Sequence, residues 1–538
     1  MFDFIKRRKR KLKADFGKIK TDGFNLSGIA RFFLLSEKSD AHQIISDRTW
    51  QDLDMDEVFM FTDRTSSKIG QQYLYYILRT IPKTDHRRER LDKLTITFQQ
   101  NQELRDRVLY ELAGLNDPSA YHIVTLFLTE HIRKPSWFWI IPVLSSSSVI
   151  SALLTPFYPS FLLLLTLLLG INFIIHYWNK TNLNSYTASI PQMLIMNRVA
   201  RKLTKFAELS DHRTEVNAAL NKLEGLGARM IIFRIESGLQ SEIAAFAHYA
   251  AELLKALFLI EPLVLFDVLK RFDSMRSEMN EVFEFVGEID LALSMSALRG
   301  QVPYYCQPVF ASGPKVLSGE AIYHPMIHGF VANSLENSGK SILLTGSNMS
   351  GKTTFIRTLG VNVLLSQTIG LAFARNFTLS RLRVHSAISI LDDLFDDKSY
   401  YFEEVLTIKS MLTESKAGSG NLFLLDELFR GTNTLERIAA GKAVLEYLSS
   451  GENLVVVSTH DLELTNYLKE SFSLYHFAEK IENDKITFDY KLKPGNLETT
   501  NAIRILDIHD YPNELITEAL RLSEEMKRQK KENDRHPQ

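Results

Sequence analysis

The stretch SILLTGSNMSGKTTFIRTLG, residues 341–360, decides the fold class of the last third of this chain. The apolar run Ile342, Leu343, Leu344 reads as a strand. The residues that follow, Gly346, Ser347, Asn348, Met349, Ser350, Gly351, Lys352 and Thr353, fit the pattern G-x-x-x-x-G-K-T and then open a helix. Glycines let backbone N–H groups wrap phosphate, and the helix N-terminus adds the positive end of its dipole. In such a loop Lys352 neutralises the β and γ phosphates of a nucleoside triphosphate and the Thr353 hydroxyl ligates Mg²⁺.

A second element, NLFLLDELFRGTNTLERIAAG at 421–441, places the apolar run Leu422 to Leu425 directly before Asp426 and Glu427, as a buried parallel strand would. Asp426 then stands at the carboxyl end of a strand, where it can hold magnesium through water, and Glu427 can polarise an attacking water. A third strand, LVVVSTHD at 454–461, ends at His460, which is placed to contact the γ phosphate or that water. Taken singly, an Asp-Glu pair or a strand-end histidine is more often structural. In this order behind a phosphate loop they predict an ATP hydrolysis site with Glu427, His460 and Lys352 as its catalytic residues and Thr353 and Asp426 on the metal.

These motifs resemble those of the MutS family of mismatch-repair ATPases. The family's Gly-x-Asn-Met-x-Gly-Lys-Ser/Thr-Thr loop is matched by Gly346, Asn348, Met349, Gly351, Lys352, Thr353 and Thr354, its Asp-Glu-x-x-Arg-Gly-Thr motif by Asp426, Glu427, Arg430, Gly431 and Thr432, and its Thr-His motif by Thr459 and His460. Upstream, His324-Pro325 and Phe330-Val331-Ala332-Asn333 are similar to the start of the family's ATPase domain, which implies that Phe330 stacks on adenine. The segment DDLFDDKSYYFEEV, from Asp392, resembles the one whose serine reaches into the partner subunit's nucleotide site. That role carries over to Ser399, with Glu404 also matching, although Asp397-Lys398 before the serine and Tyr400 after it depart from the pattern. GEIDLALSMSALRGQVPYYCQPVF, from Gly287, is similar to the end of the family's lever. FMFTDRTSSKIGQQYLYYILRTIP, from Phe59, is similar to the start of its helical core, and the stretch from Thr499 to about Leu522 resembles its dimerisation element. The resemblance implies ATP and Mg²⁺ as cofactors, a homodimer formed through the ATPase domain, and DNA as a partner. Nothing before Trp50 reads as the family's mismatch-reading domain, and no Phe-x-Glu wedge stands in an N-terminal α/β context.

From Trp137 to Trp178 the chain runs WFWIIPVLSSSSVISALLTPFYPSFLLLLTLLLGINFIIHYW, with His176 as its one basic residue and no acidic one. That is room for two spans of about 20 residues, the length that crosses a hydrocarbon core. TPFYPS at 155–160 supplies the turn, Trp137, Trp139, Tyr177 and Trp178 stand where aromatic belts form, and Arg133, Lys134 and Lys180 flank the ends on the cytoplasmic side. The expectation is a transmembrane hairpin, a lipid contact, with both soluble parts facing the cytoplasm; the competing reading is a hairpin buried in a large soluble core. Ser145 to Ser148 and Pro142 weaken the first span. Residues 250–269 are apolar but interrupted by Glu252, Lys255, Glu261, Asp267 and Pro262, and are expected to form a long packed helix rather than a third span. The basic run Lys6 to Lys11 could lie on an anionic membrane, meet phosphate, or be a solvated tail.

The 538 residues carry a net charge of -1, which neither demands nor excludes an anionic partner, and the single cysteine, Cys306, rules out an intrachain disulfide and a cysteine-built zinc site. No signal peptide is expected, since no apolar run follows the basic start. The predicted fold is multidomain: a mainly α-helical core and lever region with a transmembrane hairpin, then an α/β P-loop NTPase domain of MutS/ABC type. The expected parts are a basic segment (1–40), helical core (41–134), hairpin (135–180), helical lever (181–302), ATPase domain with C-terminal dimerisation helices (303–525) and a charged tail (526–538). The function expected is that of a membrane-anchored, homodimeric MutS-type ATPase acting on DNA; the alternative is a membrane-coupled remodelling or signalling ATPase that no longer binds DNA. An ABC transporter fits worst, because Leu317-Ser318-Gly319 precedes the phosphate loop, on the wrong side for an ABC signature.

Overall fold

The computed structural model describes residues 2–21, 23–130, 135–209, 213–227, 253–337, 339–347, 349–388, 400–416, 418, 420–429, 431–482, 485–497, 506 and 511–533. The chain divides into two compact units, Met1–Ala41 with Phe59–Val302 and His42–Val58 with Pro303–Gln538. The segment His42–Val58, expected in the helical core, thus packs with the second unit. There Asp52 Oδ2 accepts from Ser386 Oγ at 2.7 Å and Ile388 N at 3.1 Å, and Arg357 Nη1 donates to Asp54 at 2.6 Å. So short a segment has too little periodicity to show which core its apolar side chains join.

The first unit is helical. Its framework includes α1 (Phe2–Asp15), α2 (Lys68–Arg79), α3 (Ile140–Leu154), α4 (Phe161–Leu203), α5 (Ile260–Ser274) and α6 (Arg276–Arg299). Helices α2 and α6 cross closely because glycines stand at the crossing: a Cβ on Gly287 would meet Tyr73 Cβ at 2.7 Å, and one on Gly70 would meet Asp290 Oδ2 at 2.1 Å. The fully buried Asp290 carboxylate accepts from Ser66 N and Ser67 N, both at 2.8 Å, and from Ser67 Oγ at 2.5 Å, so it holds the N-terminus of α2.

Helices α3 and α4 form the apolar hairpin. Ser136–Leu154 and Phe161–Trp178 are long and apolar enough to cross a membrane, and only 17% of each window is buried. Leu153, Phe157, Leu163, Leu167 and Ile174 are all more than 60% exposed, whereas the small polar residues face inward: Ser148, Ser151 and Asn172 are buried. Within the serine run that weakens the hydropathy of the first span, Ser148 is buried and accepts from Asn172 of α4, where small side chains allow close approach, whereas Ser146 is exposed. Rings of Trp137 and Trp178 meet at 4.9 Å and close the open end. The expected boundary at residue 180 is not a structural break, because α4 continues as one 43-residue helix from the hairpin to Leu203. At about 1.5 Å per residue it is roughly 65 Å long.

The single long helix expected over 250–269 is also corrected. Leu259 adopts φ 49°, and α5 starts afresh at Ile260. Pro262 explains the break: it has no N–H for the carbonyl of Phe258 and its ring would strike that carbonyl, but it is tolerated in the first turn of a new helix. The freed carbonyls are taken up by the hairpin. Ser145 Oγ donates to Phe258 O at 2.7 Å, and Asn172 Nδ2 donates to Leu257 O at 2.6 Å and to Ser148 Oγ at 2.9 Å.

The second unit is α/β. A six-stranded sheet is built from β1 (Ser341–Thr345), β2 (Arg383–Ala387), β3 (Asn421–Asp426), β4 (Leu454–Thr459), β5 (Phe472–Glu482) and β6 (Lys485–Pro494), in the order β6-β5-β1-β4-β3-β2. All neighbours are parallel except β5 and β6, which form an antiparallel edge pair. Helices α7 (Lys352–Thr368), α8 (Tyr400–Glu414) and α9 (Thr434–Leu448) connect the strands, and α10 (Asn513–Asn533) follows them. Residues 341–345 and 454–459 are buried along their whole length, as central strands covered on both faces require. A four-stranded mixed sheet, ordered Val309–Phe310, Asn376–Leu379, Leu317–Ile322 and Asn333–Leu335, completes this unit.

Burial raises the Asp290 pKa to about 6 from 3.8. With the folded value above the unfolded one, this group's contribution to stability is fully present below about pH 4 and is lost as pH rises through about 6. Thermal unfolding of the purified protein should show that slope, and Asp290→Asn should flatten it. Asp290→Ala strands buried donors at roughly 1–3 kcal/mol each, so amide exchange in α2 should speed at least tenfold; unchanged exchange would show that the carboxylate does not hold this helix.

Candidate active site

Three of the parallel strands end side by side, with β4 between β1 and β3 in the registers Thr459 beside Thr345 and Ser458 beside Asp426. Side chains that follow these strands converge at the carboxyl edge, where open α/β sheets bind ligands.

The loop after β1 turns through backbone conformations that glycine favours. Gly346 has φ 152°, and a Cβ there would meet Phe477 O at 2.7 Å; Gly351 has φ 99° and caps the N-terminus of α7. Met349, with φ 69°, stands 82% exposed at the loop tip. Lys352 folds back under the loop, and its buried Nζ donates to Gly346 O and Ser347 O, each at 2.9 Å. Ser347 Oγ donates to Glu479 Oε2 at 2.8 Å. Ser350 is buried, and its Oγ has no hydrogen-bond partner among the described residues.

Across the strand ends, Thr353 Oγ1 donates to Asp426 Oδ2 at 2.7 Å, and the other Asp426 oxygen accepts from Ser458 Oγ. Glu427 follows with φ 53°, a left-handed residue that leaves the strand sharply while its N–H still donates to Ser458 O at 3.0 Å. Glu427 Oε1 lies 2.6 Å from His460 Nε2, and the same nitrogen is 3.5 Å from Lys352 Nζ. Phe429, also left-handed at φ 59°, has its N–H bound by the buried Glu404 carboxylate. Arg437 on α9 grips Asp461, Nε to Oδ2 at 2.8 Å and Nη2 to Oδ1 at 2.7 Å, and so fixes the segment behind His460. Strained left-handed residues cost of order 1–3 kcal/mol each and persist where surrounding contacts hold them.

A cavity of about 580 Å³ opens over the loop, lined by Phe330, Met349, Ser350, Gly351, Lys352, Thr353, Thr354 and Glu427 among others. Phe330 stacks on Tyr323 with centroids 4.1 Å apart and planes at 17°. Burial lowers the His324 pKa, so its imidazole is neutral near pH 7. The structure therefore brings together Phe330, Gly346, Ser347, Met349, Ser350, Gly351, Lys352, Thr353, Thr354, Asp426, Glu427 and His460. Asn348, Ser399 and Arg430 lie outside the described residues. Motif reading missed Ser458, Tyr323, Glu479, Phe477 and Tyr490. The first two adjoin motif residues, but the last three come from β5 and β6, which carry no nucleotide motif.

The donor set fits a nucleotide with a divalent cation. The orphaned Ser350 hydroxyl, the self-bound Lys352 ammonium and the glycine cradle are phosphate ligands in kind, and the paired Thr353 and Asp426 oxygens suit a hard cation that keeps most of its waters. The loop and the parallel sheet have the form of a P-loop domain of ATPase type. The MutS domain V family matches residues 342–527. Curated relatives named DNA mismatch repair protein MutS include one from Exiguobacterium sp., 30% identical over 261 residues, covering 46% of this chain and 30% of the relative. Those from Thermus aquaticus (28% over 268 residues, 49% and 32%) and Listeria monocytogenes (29% over 231 residues, 40% and 27%) are similar. Residues 342–527 are thus similar to MutS domain V, and the match spans under a third of the length of these relatives.

Gly346→Ala would push a methyl group into Phe477 O. It should weaken binding of a fluorescent ATP analogue at least tenfold without loss of α/β secondary structure by circular dichroism; undiminished binding would show that the loop does not close in this conformation.

Proposed function

We propose that this chain is a Mg²⁺-dependent ATPase of MutS type that works as a homodimer, is anchored in a membrane by the α3–α4 hairpin, and acts on DNA. The observation that carries the ATPase reading is the convergence of Lys352, Thr353, Asp426, Glu427 and His460 from three adjacent strand ends. Lys352 exchanges its two loop carbonyls for phosphate oxygens, and Phe330, stacked on Tyr323, offers a face to adenine. Thr353 and Asp426 hold the cation, which supplies charge neutralisation on the phosphates. Glu427 takes the proton of the water that attacks the γ phosphorus; the bond to the bridging oxygen breaks, leaving ADP and inorganic phosphate. His460 holds the Glu427 carboxylate in place through the 2.6 Å contact.

The family resemblance supports a dimer, as does α10, which exposes Leu515, Leu520, Leu522 and Met526. Ser399 acting in the partner's site is part of this proposal. Support for the anchor comes from the exposed apolar faces of the hairpin, since each fully buried large apolar side chain gains about 1.5–3 kcal/mol on leaving water. Both soluble parts then lie on the cytoplasmic side. A membrane-coupled ATPase without DNA is the second reading, favoured by the continuity of α4 from the hairpin into the helical unit.

Glu427→Gln should keep ATP binding and lose hydrolysis by about 10²-fold or more, whereas Lys352→Ala should lose binding. Normal turnover by Glu427→Gln would remove it as the base. ATPase rates with and without duplex, mismatched and branched DNA at two salt concentrations separate the two readings, because phosphate contacts release counterions and make stimulation salt-sensitive. Carbonate-resistant sedimentation with membranes, lost when 137–178 is replaced by a polar linker, tests the anchor.

A further inference from the structure

Beside α1 the first unit holds a cavity of about 610 Å³, within the size range of small-molecule sites. Six cationic side chains line it: Arg8 and Lys11 from α1, Lys18 and Lys20 from the segment that follows, and Arg64 and Lys68 from the approach to α2 and its first residue. Asp15 is the acidic residue lining it among the described residues. Two of the cations are neutralised locally, Lys18 by Asp15 at 2.9 Å and Lys20 by Asp63 at 2.8 Å. Arg8, Lys11 and Arg64 make no ion pair among the described residues.

Arg64 carries the inference beyond a charged surface. It is 5% exposed, and its hydrogen bonds go to neutral acceptors: Phe61 O, Asp63 O at 3.2 Å and Gln301 Oε1 at 3.4 Å. Burial pushes its pKa down, the Asp63 charge nearby offsets part of that, and an arginine does not give up its proton in a protein. A buried cation that keeps its proton and has no carboxylate bound to it is costly unless an anion joins it. Lys68 reaches the same cavity, its Nζ 5.4 Å from the centroid of the Tyr121 ring and 3.2 Å from Gln71 Oε1.

We propose that this cavity binds a compact molecule bearing two adjacent phosphate groups. Beyond the two local ion pairs, the lining keeps the charges of Arg8, Lys11 and Arg64, with the Lys68 ammonium beside them. Two phosphate groups, at about −1.5 to −2 each, match that charge. Arginine supplies a planar fork for phosphate oxygens and the lysines supply point charges. The concave, partly enclosed shape suits a small diphosphate better than a duplex backbone. The diphosphate belongs either to a free nucleotide or to a phosphorylated lipid headgroup, which share this chemistry.

The site is separate from the phosphate loop, so its test uses full-length Lys352→Ala protein in detergent, in which nucleotide binding at the loop is removed. Calorimetric titration with inorganic pyrophosphate should show one saturable site, and the double substitution Lys11→Gln with Lys68→Gln, which leaves the buried Arg64 in place, should weaken it at least tenfold. Competition by ADP and by inositol bisphosphate then assigns the source, the tighter competitor naming it. Absence of a saturable pyrophosphate site in Lys352→Ala, an unchanged affinity in the double variant, or duplex DNA binding to these lysines without any pyrophosphate site would each overturn the proposal.

Discussion

Parallel pairing of β4 between β1 and β3 is the constraint on which the candidate active site depends. Parallel register brings three carboxyl ends to one edge, so residues far apart in sequence meet within hydrogen-bond distance. The Thr353–Asp426 contact and the Glu427–His460 contact are consequences of that register, at 2.7 and 2.6 Å. A slip of one residue in β3 would turn Asp426 to the other face of the sheet and dismantle both. Elsewhere the loop geometry adds what the sheet cannot: left-handed Glu427 and Phe429 swing the chain away from the strand, and the buried Glu404 carboxylate holds that bend by taking the Phe429 N–H.

The helical unit solves a different problem, that of polar groups in apolar surroundings. Asp290 takes the orphan donors at the start of α2, and Ser145 and Asn172 take the carbonyls released where Pro262 interrupts the helix before α5. In each case a buried backbone group finds a side chain, as burial demands. Near that break Lys255 and Glu261 approach at 3.5 Å and His176 and Glu261 at 3.7 Å, all three buried. The charges of Lys255 and Glu261, which argued against a third span, are thus grouped together against the hairpin rather than spread along an exposed helix face.

Much of the candidate site was legible because nucleotide chemistry would need particular residues at fixed local spacing. Gly346, Gly351, Lys352 and Thr353 lie in one loop, and Asp426, Glu427 and His460 each follow an apolar strand. Residues that β5 and β6 bring to the site were not legible, since Phe477 and Tyr490 on the cavity and Glu479 on Ser347 serve by position and their types are common in any strand.

The sequence by itself determined the local devices: the glycine-rich loop, the strand-end carboxylates, and the length and apolarity of the hairpin. These follow from short-range sterics, dipoles and hydropathy. Tertiary structure alone decided that His42–Val58 joins the α/β unit, that α4 runs unbroken past residue 180, and that six basic side chains surround one cavity. Those outcomes depend on which surfaces bury one another, and contacts between residues far apart in the chain leave no periodic mark on either segment.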